Sequence, residues 1–261
     1  MRSAGIEGAE LPRAYELVEL ERVASVLDET AARAAAGADE GTLLAADEQS
    51  AARGRCGQAV LAPPGGLYLG LVLRPAAPCA AIAELATVAV VSLGAAMAEL
   101  LSPMTELRYR WPNDVLLADA KAAAIQVRAP AGQRTPEWVV VGGYANVVQS
   151  PPELGLDAAS LAVEGDAPPA PPALLAAFGR QFLAWVNRWA EEGFEPVRRA
   201  WSLRLHDPGT WLEVGMPQGT AQGTVTEIDA DGALILKTIS GGHRRLELAR
   251  AHGLDDGAGG E

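Results

Sequence analysis

Trp111, Pro112, Asn113 and Asp114 stand in a row, with a lone lysine, Lys121, seven residues beyond the aspartate. Proline has no amide hydrogen, so Pro112 interrupts strand pairing where Trp111 leaves off. That leaves a corner at which Asn113 and Asp114 can bond neighbouring backbone groups. An aspartate at such a corner can hold a metal–phosphate unit or a ribose hydroxyl, and a lysine one hairpin away can neutralise phosphate charge. The same spacing also fits an ordinary Asn-Asp turn and a solvated lysine.

Three further groups could join them. Arg53 and Arg55 alternate with Gly54, and Gly57 follows. Glycines let a backbone wrap an anion, and guanidinium forks grip phosphates or carboxylates at two points. An anion lid and a flexible solvated loop are both open readings of this segment. Gln49 and Thr30 are neutral hydrogen-bonding residues beside apolar runs, as a pocket for a polar uncharged ligand requires. A surface amide and a helix cap are the plainer alternatives. "VVVGGYANV" ends a strand on Gly142 and Gly143 before Asn146, which marks either a bulge or a close approach of backbone to ligand.

The elements that must position these residues come from the hydrophobic pattern. "TLLAADEQ" reads as a short buried strand and "LYLGLVLRP" as another. Between residues 12 and 27 apolar and acidic positions mix without a clear period, and Asp28 or Thr30 is the expected cap of a short helix stopping at Gly37. A long alanine-rich helix is expected over 79–101. "TELRYRW", "DVLLA", "AAAIQVRA" and "EWVVVGGYANVV" then form an antiparallel meander. In it Leu107, Tyr109 and Trp111 share one face, and Arg108 and Arg110 take the other. "EGDAPPAPPA" is a connecting loop. It precedes an amphipathic helix ending near Gly193 and a shorter one over "FEPVRRAWSLRL". From about residue 206, four or five short strands with a "DADG" turn suggest a small β-barrel. The expected division is 1–205, 206–252, and a disordered tail over 253–261.

With 49% hydrophobic residues among 261, the chain can bury a sizeable core. A net charge of −12 and the lack of a basic cluster speak against a nucleic-acid partner. Cys56 and Cys79 have neither disulfide nor ligand spacing, so no protein-built metal site is expected. The start of the chain has no secretory apolar segment, and "LATVAVVSLGAAMAELL" is too short and too closely flanked by Glu84 and Glu99 to span a bilayer. A cytoplasmic protein without membrane contact is the expectation.

These pieces occur in an order that resembles biotin–protein ligases, within the wider biotin/lipoate ligase superfamily, from about residue 20 to 250. "WPND…K" at 111–121 is the most specific element. "ARGRCG" at 52–57, preceded by Gln49, matches the family's glycine–arginine loop. "DETA" at 28–31 matches a biotin-contacting segment through Thr30 alone, and "GGYAN" at 142–146 matches a strand ending in Gly-x-Asn. "EEGFEPVRRAW" is similar to the family's closing helix.

The resemblance implies an α+β fold, with a mixed or antiparallel sheet and packed helices of the class II aminoacyl-tRNA synthetase and biotin ligase type, plus the small C-terminal barrel. It implies activation of biotin by ATP and Mg2+ to biotinyl-5′-AMP, then transfer to a lysine of a biotin carboxyl carrier domain. Lys121, Arg53 and Arg55 would be catalytic. Thr30, Gln49, Trp111 and Ala124 would contact biotin. Arg53, Gly54, Arg55, Asn113, Asp114 and Asn146 would hold the nucleotide. The residues before position 20 leave no room for a DNA-binding winged helix, and a homodimer is left open. Where the family has glycine, this chain has Ala124 and Tyr144; Glu29 and Ala31 flank Thr30 in place of serine and asparagine. Those departures keep two alternatives in view: a ligase for another acid, such as lipoate or octanoate, and a non-catalytic relative that binds a ligand or carrier.

Overall fold

The computed structural model describes residues 8–149, 158–164, 170–206 and 208–254. Seven strands form the main sheet: β1 (Glu16–Val23), β2 (Thr42–Gln49), β3 (Leu67–Leu73), β4 (Leu107–Arg110), β5 (Asp114–Leu117), β6 (Ala120–Arg128) and β7 (Val139–Ala145). Their order is β1-β2-β3-β7-β6-β5-β4. The last four are the antiparallel meander expected from alternation, with Leu107 and Tyr109 buried on one face and Arg108 and Arg110 partly buried on the other. β1 pairs parallel with β2, and helix α1 (Val26–Ala35) supplies the crossover that parallel neighbours need. β1 escaped the sequence reading because it is an edge strand without a fully buried residue, and its Glu16, Glu19, Glu21 and Arg22 obscure the period. Charges on such an edge discourage pairing with another chain.

α1 begins at Ser25, not at Asp28 or Thr30, because the Ser25 hydroxyl accepts the Asp28 amide at 3.2 Å. Asp28 and Glu29 occupy the first turn, where the helix dipole favours acids. Gly37, at φ +98°, follows its end as expected. Arg128 of β6 forms an ion pair with Asp28 and ties the helix to the sheet.

Helix α2 (Cys79–Leu100) is long and apolar enough to cross a membrane, yet the fold buries it on nearly every side. A helix apolar all round belongs in a core. α2 covers one face of the sheet and packs against α4 (Pro171–Glu192), which the short helix α3 (Leu161–Glu164) precedes and α5 (Glu195–Ser202) follows. The opposite face of the sheet, under α1 and the 50–62 loop, is left for the site. Residues 165–169 of the expected connecting loop and 255–261 of the expected tail lie outside the described residues.

The C-terminal strands, β8 (Trp211–Met216), β9 (Gly219–Ile228), β10 (Leu234–Lys237) and β11 (His243–Leu246), form an open antiparallel sheet in the order β11-β10-β9-β8. This corrects the expected barrel. Among the described residues β8 and β11 do not pair, and four strands, two of them only four residues long, cannot close around an interior. The sheet instead buries Val214, Ala221, Val225, Leu234 and Leu236 in the same core as α2. Helix α6 (Leu248–Ala251) completes this face. The "DADG" turn forms as expected: the Asp229 carboxylate accepts the amides of Asp231 and Ala233 at 3.0 and 2.9 Å.

Candidate active site

Asp114, Ala124, Tyr144 and Tyr68 lie in one row across β5, β6, β7 and β3, each directly opposite the next. Residues in register across a sheet share a face, so these four side chains meet the ligand side together. Lys121 should not join them, since it stands an odd number of residues from Ala124. A β-bulge changes that. Val115 pairs with Ala123 but Leu116 pairs with Lys121, so Ala122 is the extra residue and Lys121 returns to the face of Asp114. The hairpin before it turns through Ala118 and Asp119, both left-handed at φ 46° and 67°, the geometry of a tight two-residue β-hairpin loop.

The result is a cluster of ion pairs. Lys121 Nζ lies 3.2 Å from one Asp114 oxygen, and Arg110 donates to the other from Nε at 3.2 Å and Nη2 at 2.9 Å. Both cations and the aspartate are mostly buried. The Lys121 ammonium also sits 5.7 Å from the centre of the Tyr144 ring, a cation–π contact. Arg110, expected only on the outer face of the meander, joins the site. The signal was present: a three-residue corner, Trp111-Pro112-Asn113, sets Arg110 and Asp114 opposite each other.

These residues line a cavity of about 410 Å³. It gathers Arg55, Arg110 and Lys121 against Asp114 and Glu213, an excess of one positive charge in a strongly acidic chain. Trp111, Asn113 and Ala124 also line it. Trp111 is fixed by its indole N–H, which donates to Gly232 O at 3.0 Å. Asn113 Nδ2 donates to Ile125 O at 2.7 Å and so braces the corner against β6.

The two loop arginines part company. Arg55 lines the large cavity but is anchored from outside the loop: Nη1 donates to Ala251 O at 2.5 Å and Nη2 to Gly215 O at 2.6 Å. Burial pushes its guanidinium below the usual arginine range, while Cys56 and Asp114 oppose the shift. Beside it His252 is buried, and burial together with the Arg55 charge holds its imidazole down at about 3. Arg53 faces a different space. Its Nη1 makes a long 3.4 Å bond to Gly57 O, and it lines a small chamber and, with Arg55, an adjoining cleft, but not the large cavity. Of the three residues expected to be catalytic, Lys121 and Arg55 share the large cavity, where Arg110 supplies a third cation.

The small chamber, about 30 Å³, lies under the N-terminus of α1. Ser25, Leu27, Gln49, Val60, Gly142 and Tyr144 line it. Gly142 forms its floor beneath Leu27; a side chain there would meet the leucine methyl at 2.6 Å. Gln49 Oε1 accepts the Val26 amide at 2.8 Å, which leaves its amide N–H2 for other partners. Val60, Gln126 and Tyr144 line both spaces and form the wall between them.

Two expected site residues lie elsewhere. Thr30 is fully buried, bonds back to Val26 O at 2.7 Å and packs on Gly70, where even a methyl group would collide with its hydroxyl. Asn146 is buried and ties the end of β7 to Ala159 O at 3.0 Å. Each lines none of the cavities described here, and each has a structural bond that explains it. Glu29 points away from the chamber and pairs with Arg33. Ala124 and Tyr144 face inward.

A mixed sheet backed by long helices, with a cationic cavity beside a small chamber on its free face, defines an α+β domain with two adjoining spaces on one side of the sheet. The sequence places it among known proteins. A family model, the biotin/lipoate A/B protein ligase family, matches residues 11–203. A biotin–[acetyl-CoA-carboxylase] ligase of Paracoccus denitrificans is 31% identical over 201 residues, covering 75% of this chain and 84% of its own. The ligase of that name from Mycobacterium tuberculosis is 33% identical over 214 residues, covering 78% and 77%. Among solved structures, the biotin protein ligase of Aquifex aeolicus in complex with biotin and ATP aligns with a TM-score of 0.75 at 21% identity, over 90% of this chain and 97% of that one. A biotin protein ligase-like protein of unknown function from Silicibacter sp. tm1040 aligns at 0.76 and 21%, over 92% and 97%. The chain belongs to the biotin/lipoate A/B protein ligase family.

Proposed function

We infer that the protein is an ATP-dependent biotin–protein ligase, acting in the cytoplasm on a biotin carboxyl carrier domain. Family membership supports this reading, and one geometric observation carries it. The cationic cavity and the small chamber share a wall of Val60, Gln126 and Tyr144, and Lys121 rests on that wall. An acid in the chamber with its carboxylate at the wall would face a nucleotide phosphate in the cavity.

The chemistry is two transfers. A carboxylate oxygen attacks the α-phosphorus, its bond to the β-phosphate oxygen breaks, and pyrophosphate leaves. The acceptor lysine amine then attacks the acyl carbon, and AMP leaves with the bonding electrons. Negative charge gathers on the α-phosphate oxygens in the first step, and Lys121 and Arg55 stand where they can stabilise it. Asp114 holds Lys121 and Arg110 in place. A low-dielectric site strengthens these interactions and shields the mixed anhydride from water.

Among the described residues no three acidic, histidine or cysteine side chains are grouped so as to hold a metal ion. Asp114 and Glu213 are the carboxylates lining the cavity, which suits a magnesium ion carried in by the phosphates more than one caged by protein. Bound with ATP, the ion would neutralise phosphate charge.

The test is incubation with biotin, labelled ATP and a carrier domain. The expected result is pyrophosphate release and a biotinylated carrier lysine. Absence of both, beside an active control ligase, overturns the reading.

A further inference from the structure

Tyr144 stands out on the ligand face. Its side chain belongs to the chamber and the cavity at once. The sheet register places it directly opposite Ala124, whose methyl group stands on the same face. Lys121 holds the ring from the cavity side. The chamber offers about 30 Å³, room for one or two waters. Pockets for small organic ligands are ten times larger or more. The chamber must widen before a fused-ring acid enters, and Tyr144 is one of the three lining side chains that it shares with the cavity.

Resting on the reading of this chamber as the acid site, we propose that Tyr144 is its specificity-determining residue. Its phenol ring fills the width that a two-ring acid needs, and so grades the site toward slender, unbranched acyl chains. A ring swinging about its Cα–Cβ bond clears a slot one chain wide before it clears room for two fused rings. Biotin therefore enters at a steric disadvantage that a linear acid largely avoids. Lys121 shares in the cost, because the swing breaks its contact with the ring face.

Calorimetric binding of biotin and of octanoate, without ATP, to the full chain and its variants tests this. In Tyr144→Ala, affinity for biotin relative to octanoate rises by about tenfold or more, the scale at which a hydrophobic pocket senses one group. Tyr144→Phe keeps the wild-type ratio, since the ring remains. Ala124→Gly, which removes the methyl group opposite the ring, shifts the ratio the same way by about threefold, and decides the matter if Tyr144→Ala does not fold. A ratio unchanged in Tyr144→Ala, or in Ala124→Gly where that variant decides, overturns the proposal. So does failure of every variant to bind either acid. Pyrophosphate release reports separately on the ligase reading. A shifted ratio without release keeps Tyr144 as the selector and discards the catalysis; release with an unshifted ratio does the reverse.

Discussion

The hairpin carrying Asp114 and Lys121 and the loop carrying Arg53 and Arg55 supply charge to neighbouring spaces but are held in different ways. The hairpin is locked from within. Its bulge, its left-handed turn and the Arg110–Asp114–Lys121 pairs all lie within twelve residues of each other. The loop is locked from without: Arg55 reaches carbonyls 160 and 196 residues away, on the C-terminal sheet and the helix after it. Local chemistry therefore fixes the lysine, and tertiary docking fixes the arginine. Disturbing the C-terminal sheet should move Arg55 while leaving Lys121 in place.

Removing the hairpin's lysine, with Arg110 still paired to Asp114, should have the largest effect. Lys121→Ala removes a charge aimed at the developing oxyanion, and pyrophosphate release should fall about 10²–10³-fold with the fold intact. Arg55→Ala should act on both regions at once. It leaves two partly buried carbonyls without their charged donor, at roughly 1.5–3 kcal/mol for each bond at most, so denaturant midpoints should drop along with activity. The same loss of stability should not accompany the lysine variant, and an equal loss in both would erase the contrast.

His252 sharpens it through pH. Its imidazole is held down at about 3 when folded, against about 6.5 when unfolded. Between those values the unfolded chain binds the extra proton, so acid destabilises the fold by about 1.4 kcal/mol per pH unit. Above pH 6.5 both states are neutral and the effect vanishes. His252→Phe should flatten the stability curve between pH 4 and 6.5, measured by urea unfolding. The smallest effect belongs to Glu29→Gln. The pair with Arg33 is solvent-exposed and outside the chamber, so stability should change by no more than about 0.5 kcal/mol and activity should not change.

The same contrast decides what the sequence could reveal. The β4–β7 meander was legible because its alternation is regular, and the Trp111–Asp114 corner because proline and asparagine force one. The facing of Lys121 was not, since a single extra residue at Ala122 reverses the phase and composition does not mark it. Arg53 and Arg55 look equivalent in the chain, but their roles differ through partners no local pattern encodes. Thr30 and Asn146 were drawn toward the site by resemblance, and each turns out to serve a backbone bond. The barrel was misjudged because strand count and turns give no sign of whether the outer strands meet.

The most direct test is a crystal structure of the protein with biotin and a non-hydrolysable ATP analogue. The account predicts the biotin carboxylate at the Val60–Gln126–Tyr144 wall and the α-phosphate within hydrogen-bonding reach of Lys121. Another arginine-lined cavity, of about 420 Å³, lies on the C-terminal sheet around Arg244, Arg245 and Arg250. A nucleotide bound there, with the Lys121 side of the sheet empty, would contradict it.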